Sequence, residues 1–128
     1  MALIVGLDHF VLTTKNLQKC LEFYRDILEM KVENNNGRYA IYFGRQKINL
    51  HQRPAEFLPA AKLPTSGSLD LCFETNYSIE KLQDIFERKN VSVELGPVAR
   101  YGARGFMQSV YLRDPDGNLV ETCSYPQQ

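Results

Sequence analysis

Asp8-His9-Phe10-Val11-Leu12 opens the first apolar segment of the chain, and Leu69-Asp70-Leu71-Cys72-Phe73 repeats its pattern about sixty residues later. The segment around the first stretch, Leu3–Thr14, is rich in Leu, Ile, Val and Phe and predicts a strand covered on both faces. Asn16 then offers a helix N-cap, and Leu17, Leu21, Tyr24 and Leu28 fall on one helical face. Three short strands follow at Met30–Glu33, Arg38–Phe43 and Lys47–Gln52. The turn between the first two is Asn34-Asn35-Asn36-Gly37, residues that accept positive φ cheaply.

Residues 53–67 hold Pro54, Pro59, Pro64 and Gly67, so they read as a connector that no sheet ladder accommodates. The unit then restarts. Ser68–Thr75 is a strand, Ser78 caps a helix carrying Ile79, Leu82, Ile85 and Phe86, and strands follow at Val91–Val98, Phe106–Arg113 and Asn118–Tyr125. Ile41-Tyr42-Phe43 matches Val110-Tyr111-Leu112, and Leu50-His51-Gln52 matches Val120-Glu121-Thr122. A loop around Gly96–Gly105 makes the second unit longer. The expected fold is therefore α+β, one domain over residues 1–128. It consists of two tandem βαβββ modules (1–52 and 67–125) joined by a linker at 53–66.

Composition narrows the function. Lys+Arg and Asp+Glu are both 15, so a net charge of zero gives no electrostatic attraction to nucleic acid or an anionic membrane. No run of about 18 apolar residues spans a bilayer. The apolar start, Met1–Gly6, has no basic leader and reads as strand, which predicts a cytoplasmic protein. Cys20, Cys72 and Cys123 are odd in number and set among apolar residues, so they are expected to be buried, reduced thiols.

The repeat places four ligand-type residues at matching positions, His9 over Asp70 and His51 over Glu121. All four interrupt apolar strands, where a charged group costs several kcal/mol unless paired or metal-bound. Because side chains alternate along a strand, each can face away from its apolar neighbours. Imidazoles with carboxylates suit a divalent ion such as Zn, Ni, Co, Fe or Mn, and four protein ligands leave a six-coordinate ion with open positions.

Three motifs in this order resemble the vicinal-oxygen-chelate superfamily, which includes glyoxalase I, bleomycin resistance proteins and extradiol dioxygenases. They are Gly6-Leu7-Asp8-His9-Phe10-Val11-Leu12, Phe23-Tyr24-Arg25-Asp26-Ile27-Leu28 and Asp114-Pro115-Asp116-Gly117-Asn118-Leu119-Val120-Glu121. The resemblance implies cupped mixed sheets, a homodimer with module-swapped pairing, and a divalent metal held by His9, His51, Asp70 and Glu121. Asp70 stands where that family usually has His, a departure from strict glyoxalase I identity. It also implies a lyase or isomerase acting on a small molecule with two vicinal oxygens, such as the hemithioacetal of an α-oxoaldehyde, with Glu121 as catalytic base. Arg100, Tyr101 and Arg104, in the long loop before Gly105, are expected to bind substrate. Other members of such a family would instead be extradiol-type dioxygenases, thiol transferases, or non-enzymatic proteins that sequester an antibiotic. Tyr39, Tyr42, Tyr101, Phe106 and Tyr111 would line the groove of the last.

Overall fold

The computed structural model describes residues 2–127. The chain forms two compact units, Met1–Gly67 and Ser68–Gln128, each built in the order strand, helix, three strands. In the first, β1 (His9–Thr13) is followed by α1 (Leu17–Leu21), β2 (Lys31–Asn35), β3 (Arg38–Phe43) and β4 (Gln46–His51). In the second, β5 (Asp70–Glu74) leads to α2 (Ile79–Arg88), β6 (Leu95–Gly102), β7 (Gly105–Arg113) and β8 (Leu119–Ser124). Both sheets are mixed and share one order, β1-β4-β3-β2 and β5-β8-β7-β6. The first and last strands of each unit pair in parallel, and the rest are antiparallel. The fold is thus the expected α+β duplication.

The caps behave as read. The Asn16 and Ser78 side chains accept hydrogen bonds from Lys19 N and Lys81 N at 3.0 and 3.1 Å. After Leu21 the first helix widens into a π-helical segment, Glu22–Ile27, and ends where Leu28 N reaches Phe23 O at 3.1 Å. Within the first unit, Leu12, Ile41, Ile48 and Leu50 share one sheet face by register and are buried, as are Cys20, Phe23 and Tyr24 of the helical segment. Val110, Leu112 and Val120 do the same in the second, with Ile79, Leu82 and Phe86 of α2 buried. Alternation then sends His9 and Asn49, and likewise Cys72 and Glu121, to the opposite faces of their sheets.

Several expectations are corrected. The first strand begins only at His9; Leu3 and Val5 before it are 95% and 97% exposed. The presumed long loop before Gly105 is a β-hairpin, because β6 starts at Leu95 and runs on to Gly102. Cys72 is exposed, since β5 turns it away from the buried face. Among the described residues no helix is long and apolar enough to cross a membrane.

Candidate functional site

On the polar face of the first sheet, β1 and β4 pair His9 with Lys47 and Thr13 with His51. His9 and His51 therefore stand four residues apart along the ladder, about 13 Å at 3.3 Å per residue. His9 is half exposed, and its Nδ1 lies 2.7 Å from Asp8 Oδ1. A carboxylate only accepts, so Nδ1–H donates and Nε2 is the nitrogen left for a ligand. This is how a carboxylate orients a metal-binding imidazole. His51 is buried and meets the Phe57 ring edge-on, with centroids 5.3 Å apart.

Between the two imidazoles lies Asn49, which the motif reading missed. With His9 laid on Asp70, the pairings His9–Lys47 and Asp70–Leu119 put Asn49, not His51, at the position equivalent to Glu121; His51 falls on Cys123. The slip is two residues. It leaves every side chain on its own face, so the hydrophobic pattern could not reveal it.

On the polar face of the second sheet, Glu121 pairs with Cys72 of β5 on one side and Tyr111 of β7 on the other. Its Oε2 is buried and has no hydrogen-bond partner among the described residues. An unpaired buried carboxylate oxygen is costly, and such atoms concentrate where a ligand completes them. Asp70, exposed, lies one diagonal step away, opposite Leu119. The Cys72 thiol is pushed above its ordinary range, first by burial of its sulfur environment, then by Cys123 and by the nearby negative charge of Glu121. It stays a protonated thiol at neutral pH.

The residues expected to bind substrate sit on the β6–β7 hairpin. Arg100 Nε donates to Tyr111 Oη at 3.0 Å, tying β6 to the residue beside Glu121. Arg104 holds Glu74 with two hydrogen bonds of 3.1 and 2.7 Å and lies over the Tyr125 ring at 4.3 Å. That commitment to Glu74 raises the Arg104 pKa further. Tyr101 is 83% exposed, with Phe106 edge-on beside it.

The first unit also holds an open cleft of about 680 Å³ over its polar face. His9, Asn49 and His51 form its floor, and Phe57, Leu58 and Pro59 of the connector form a wall. The Asp114–Asn118 turn explains the third motif structurally. Asp114 Oδ1 accepts from Asp116 N and Asn118 N, both at 2.9 Å, and Oδ2 accepts from Asn118 Nδ2 at 2.7 Å. Asn118 Oδ1 in turn accepts from Leu69 N at 2.9 Å. The turn therefore locks the start of β8, and with it Glu121, onto β5. Among the described residues, no three of His, Cys, Asp and Glu stand close enough together to hold a metal ion.

Two βαβββ units with one strand order, each with a polar sheet face opposite its buried one, define the duplicated-module class to which glyoxalases belong. The comparisons identify the family: the chain belongs to the Glyoxalase/Bleomycin resistance protein/Dioxygenase superfamily, whose model matches residues 6–122. It is 44% identical over 124 residues to virulence protein STM3117 of Salmonella typhimurium, covering 96% of this chain and 86% of that protein. The crystal structure of that protein matches with a TM-score of 0.93 and 42% identity, over 98% of this chain and 100% of the other. The glyoxalase domain-containing protein RDO1 of Mycosarcoma maydis is 45% identical over 120 residues, 94% of this chain and 68% of that protein. A lactoylglutathione lyase from Agrobacterium tumefaciens, at 24% identity over 96% of each chain, has a TM-score of 0.74 and shares the fold.

Proposed function

We propose that the protein is a metal-dependent, glyoxalase-like enzyme that isomerises a small molecule with two vicinal oxygens. The observation that carries this reading is the buried Oε2 of Glu121 on a polar sheet face, without a hydrogen-bond partner among the described residues. Within one chain no three such donors come together among the described residues, so this reading takes the cation to be shared between two chains of the implied homodimer. His9 offers Nε2, with Nδ1 tethered by Asp8, and Glu121 offers a free carboxylate oxygen. Asn49 and Asp70, on the same faces as these two, are the further oxygen donors. His51, at the far end of its ladder from His9, stands in the cleft floor against Phe57. When bound, the ion supplies Lewis acidity that stabilises negative charge on the two substrate oxygens.

The protein's own part is a proton transfer. Glu121 takes the proton from the carbon of a hemithioacetal that bears sulfur and hydroxyl, and returns it to the adjacent carbonyl carbon. One C–H bond breaks and one forms, and the hydroxyl proton passes to the neighbouring oxygen, so the adduct becomes a 2-hydroxy thioester with no outside oxidant. The resemblance further implies a homodimer, which light scattering on the purified chain tests.

The decisive assay loads the protein with Zn, Ni, Co, Fe or Mn in turn and follows lactoylglutathione formation from methylglyoxal and glutathione. Activity with at least one ion is expected, with a drop of at least a hundredfold in His9→Ala and Glu121→Gln. Equal rates in all three proteins refute the proposal.

A further inference from the structure

Among the described residues, Arg25, Arg53, Arg88, Arg104 and Arg113 are all ion-paired with a carboxylate. Arg38, Arg45 and Arg100 are not, and of these three only Arg38 lines the cleft, on the face of β3 that it shares with Ala40 and Tyr42. Its guanidinium carbon lies 4.0 Å over the centre of the Phe57 ring, and Phe57 in turn braces against His51. The carboxylate in the cleft lining, Glu33, is engaged by Lys31 at 3.4 Å. Lys47, the other cation of the cleft, also lacks an ion pair and has its ammonium 5.9 Å from the Tyr42 ring. The cleft thus carries two positive charges that, among the described residues, are ion-paired with no carboxylate.

The two cations rise from different rows of the sheet and stand over different rings. Tyr39 pairs with Leu50, which puts Arg38 beside His51, while Lys47 pairs with both Tyr42 and His9. Four residues of β4, about 13 Å, separate the two rows. A phosphate dianion would call for cations gathered at one point. A single guanidinium steadied on an aromatic face presents a planar fork of N–H donors, the shape that matches one carboxylate bidentately. The ring also fixes the side chain in advance and so lowers the entropy cost of binding.

From this we infer that the first-unit cleft is a carboxylate-binding site, with Arg38 on its Phe57 platform as the receptor. Its ligand is an elongated molecule whose terminal carboxylate sits at Arg38 and whose other end reaches the His9–Lys47 row. This deepens the proposed function and rests on it for one point only, that chemistry takes place at the His9 end. The substrate class is then a vicinal-oxygen compound bearing a carboxylate remote from its reacting carbons.

The test titrates the full-length chain, stripped with chelator, with 4-phenylbutyrate and with its uncharged amide. Saturable binding of the acid is expected, at least tenfold tighter than the amide. Arg38→Gln should weaken the acid at least tenfold and Arg38→Lys should recover only part of the loss. Lys47→Gln, which removes the same charge from the other end, should change affinity less than threefold. In the unmutated protein the Arg38 Nε–H resonance should shift with the acid and not with the amide, a readout independent of whether the variants fold. No saturable binding, equal binding of acid and amide, or equal losses in Arg38→Gln and Lys47→Gln overturns the inference. Because no metal is present, failure here with lactoylglutathione formation intact sinks the carboxylate site alone. Binding intact without turnover sinks the reaction alone.

Discussion

Replacing Asn118 by Ala tests whether the turn before β8 is what holds Glu121 in place. Asn118 is 1% exposed, and its amide makes two hydrogen bonds, donating to Asp114 Oδ2 at 2.7 Å and accepting from Leu69 N at 2.9 Å. The first involves a carboxylate buried to 5% exposure and is of the charge-assisted kind, worth about 1.5–3 kcal/mol. The second joins the turn to β5 and is worth about 1 kcal/mol. Alanine keeps the backbone bonds between residues 114 and 118, so the expected loss is about 3 kcal/mol. For a chain of 128 residues that lowers Tm by about 10 °C. Urea unfolding followed by circular dichroism at neutral pH measures it directly. Asn118→Asp should be worse, since it sets a second carboxylate against Asp114, and it should recover as pH falls and the pair shares a proton. A loss below about 1 kcal/mol in Asn118→Ala, or an Asp variant as stable as the parent, would show that the turn is not held by this side chain.

Two further outcomes follow from the second sheet. Cys72 is exposed yet has a raised pKa, so iodoacetamide should alkylate it several-fold more slowly at pH 8 than a free cysteine thiol, with the rate still climbing above pH 9. Glu121→Gln removes one cause of that shift and should speed the reaction; an unchanged rate in the variant refutes the assigned environment. Gly96→Ala should cost about 2 kcal/mol by urea melt, because Gly96 holds a φ of 121° and a Cβ there comes within 3.0 Å of the Val110 Cα of β7. A neutral result would mean that β6 moves off β7 without cost.

The duplication was legible because its punctuation is local. Asn16 and Ser78 cap helices through their own side chains, and Asn36 and Gly37 take φ of 56° and 85° at the β2–β3 turn. What escaped the sequence depends on partners distant along the chain. An apolar run such as Leu3–Leu7 looks like a strand, but only the pairing shows that the ladder begins at His9. The loop expected around Gly96–Gly105 is instead mostly strand, and Pro97 sits where the β6–β7 register shifts, a place where a strand tolerates proline. The match of His51 with Glu121 was off by two residues, a slip invisible to any pattern with period two. Arg38 drew no notice because its role comes from Phe57, a connector residue that only folding brings over it.

The parallel pairing of first with last strand in each unit also bears on how the chain is made. His9 finds Lys47, and Asp70 finds Leu119, across long stretches of intervening backbone. Closing such loops costs entropy before any ladder repays it, so each unit should fold slowly for its size. On the ribosome β1 must wait, both edges bare, until β4 has emerged, and β5 until β8 has. The Asn118 amide, bonded to Leu69 N, is then among the last clasps to fasten, and until it does the aligned Glu121 does not exist.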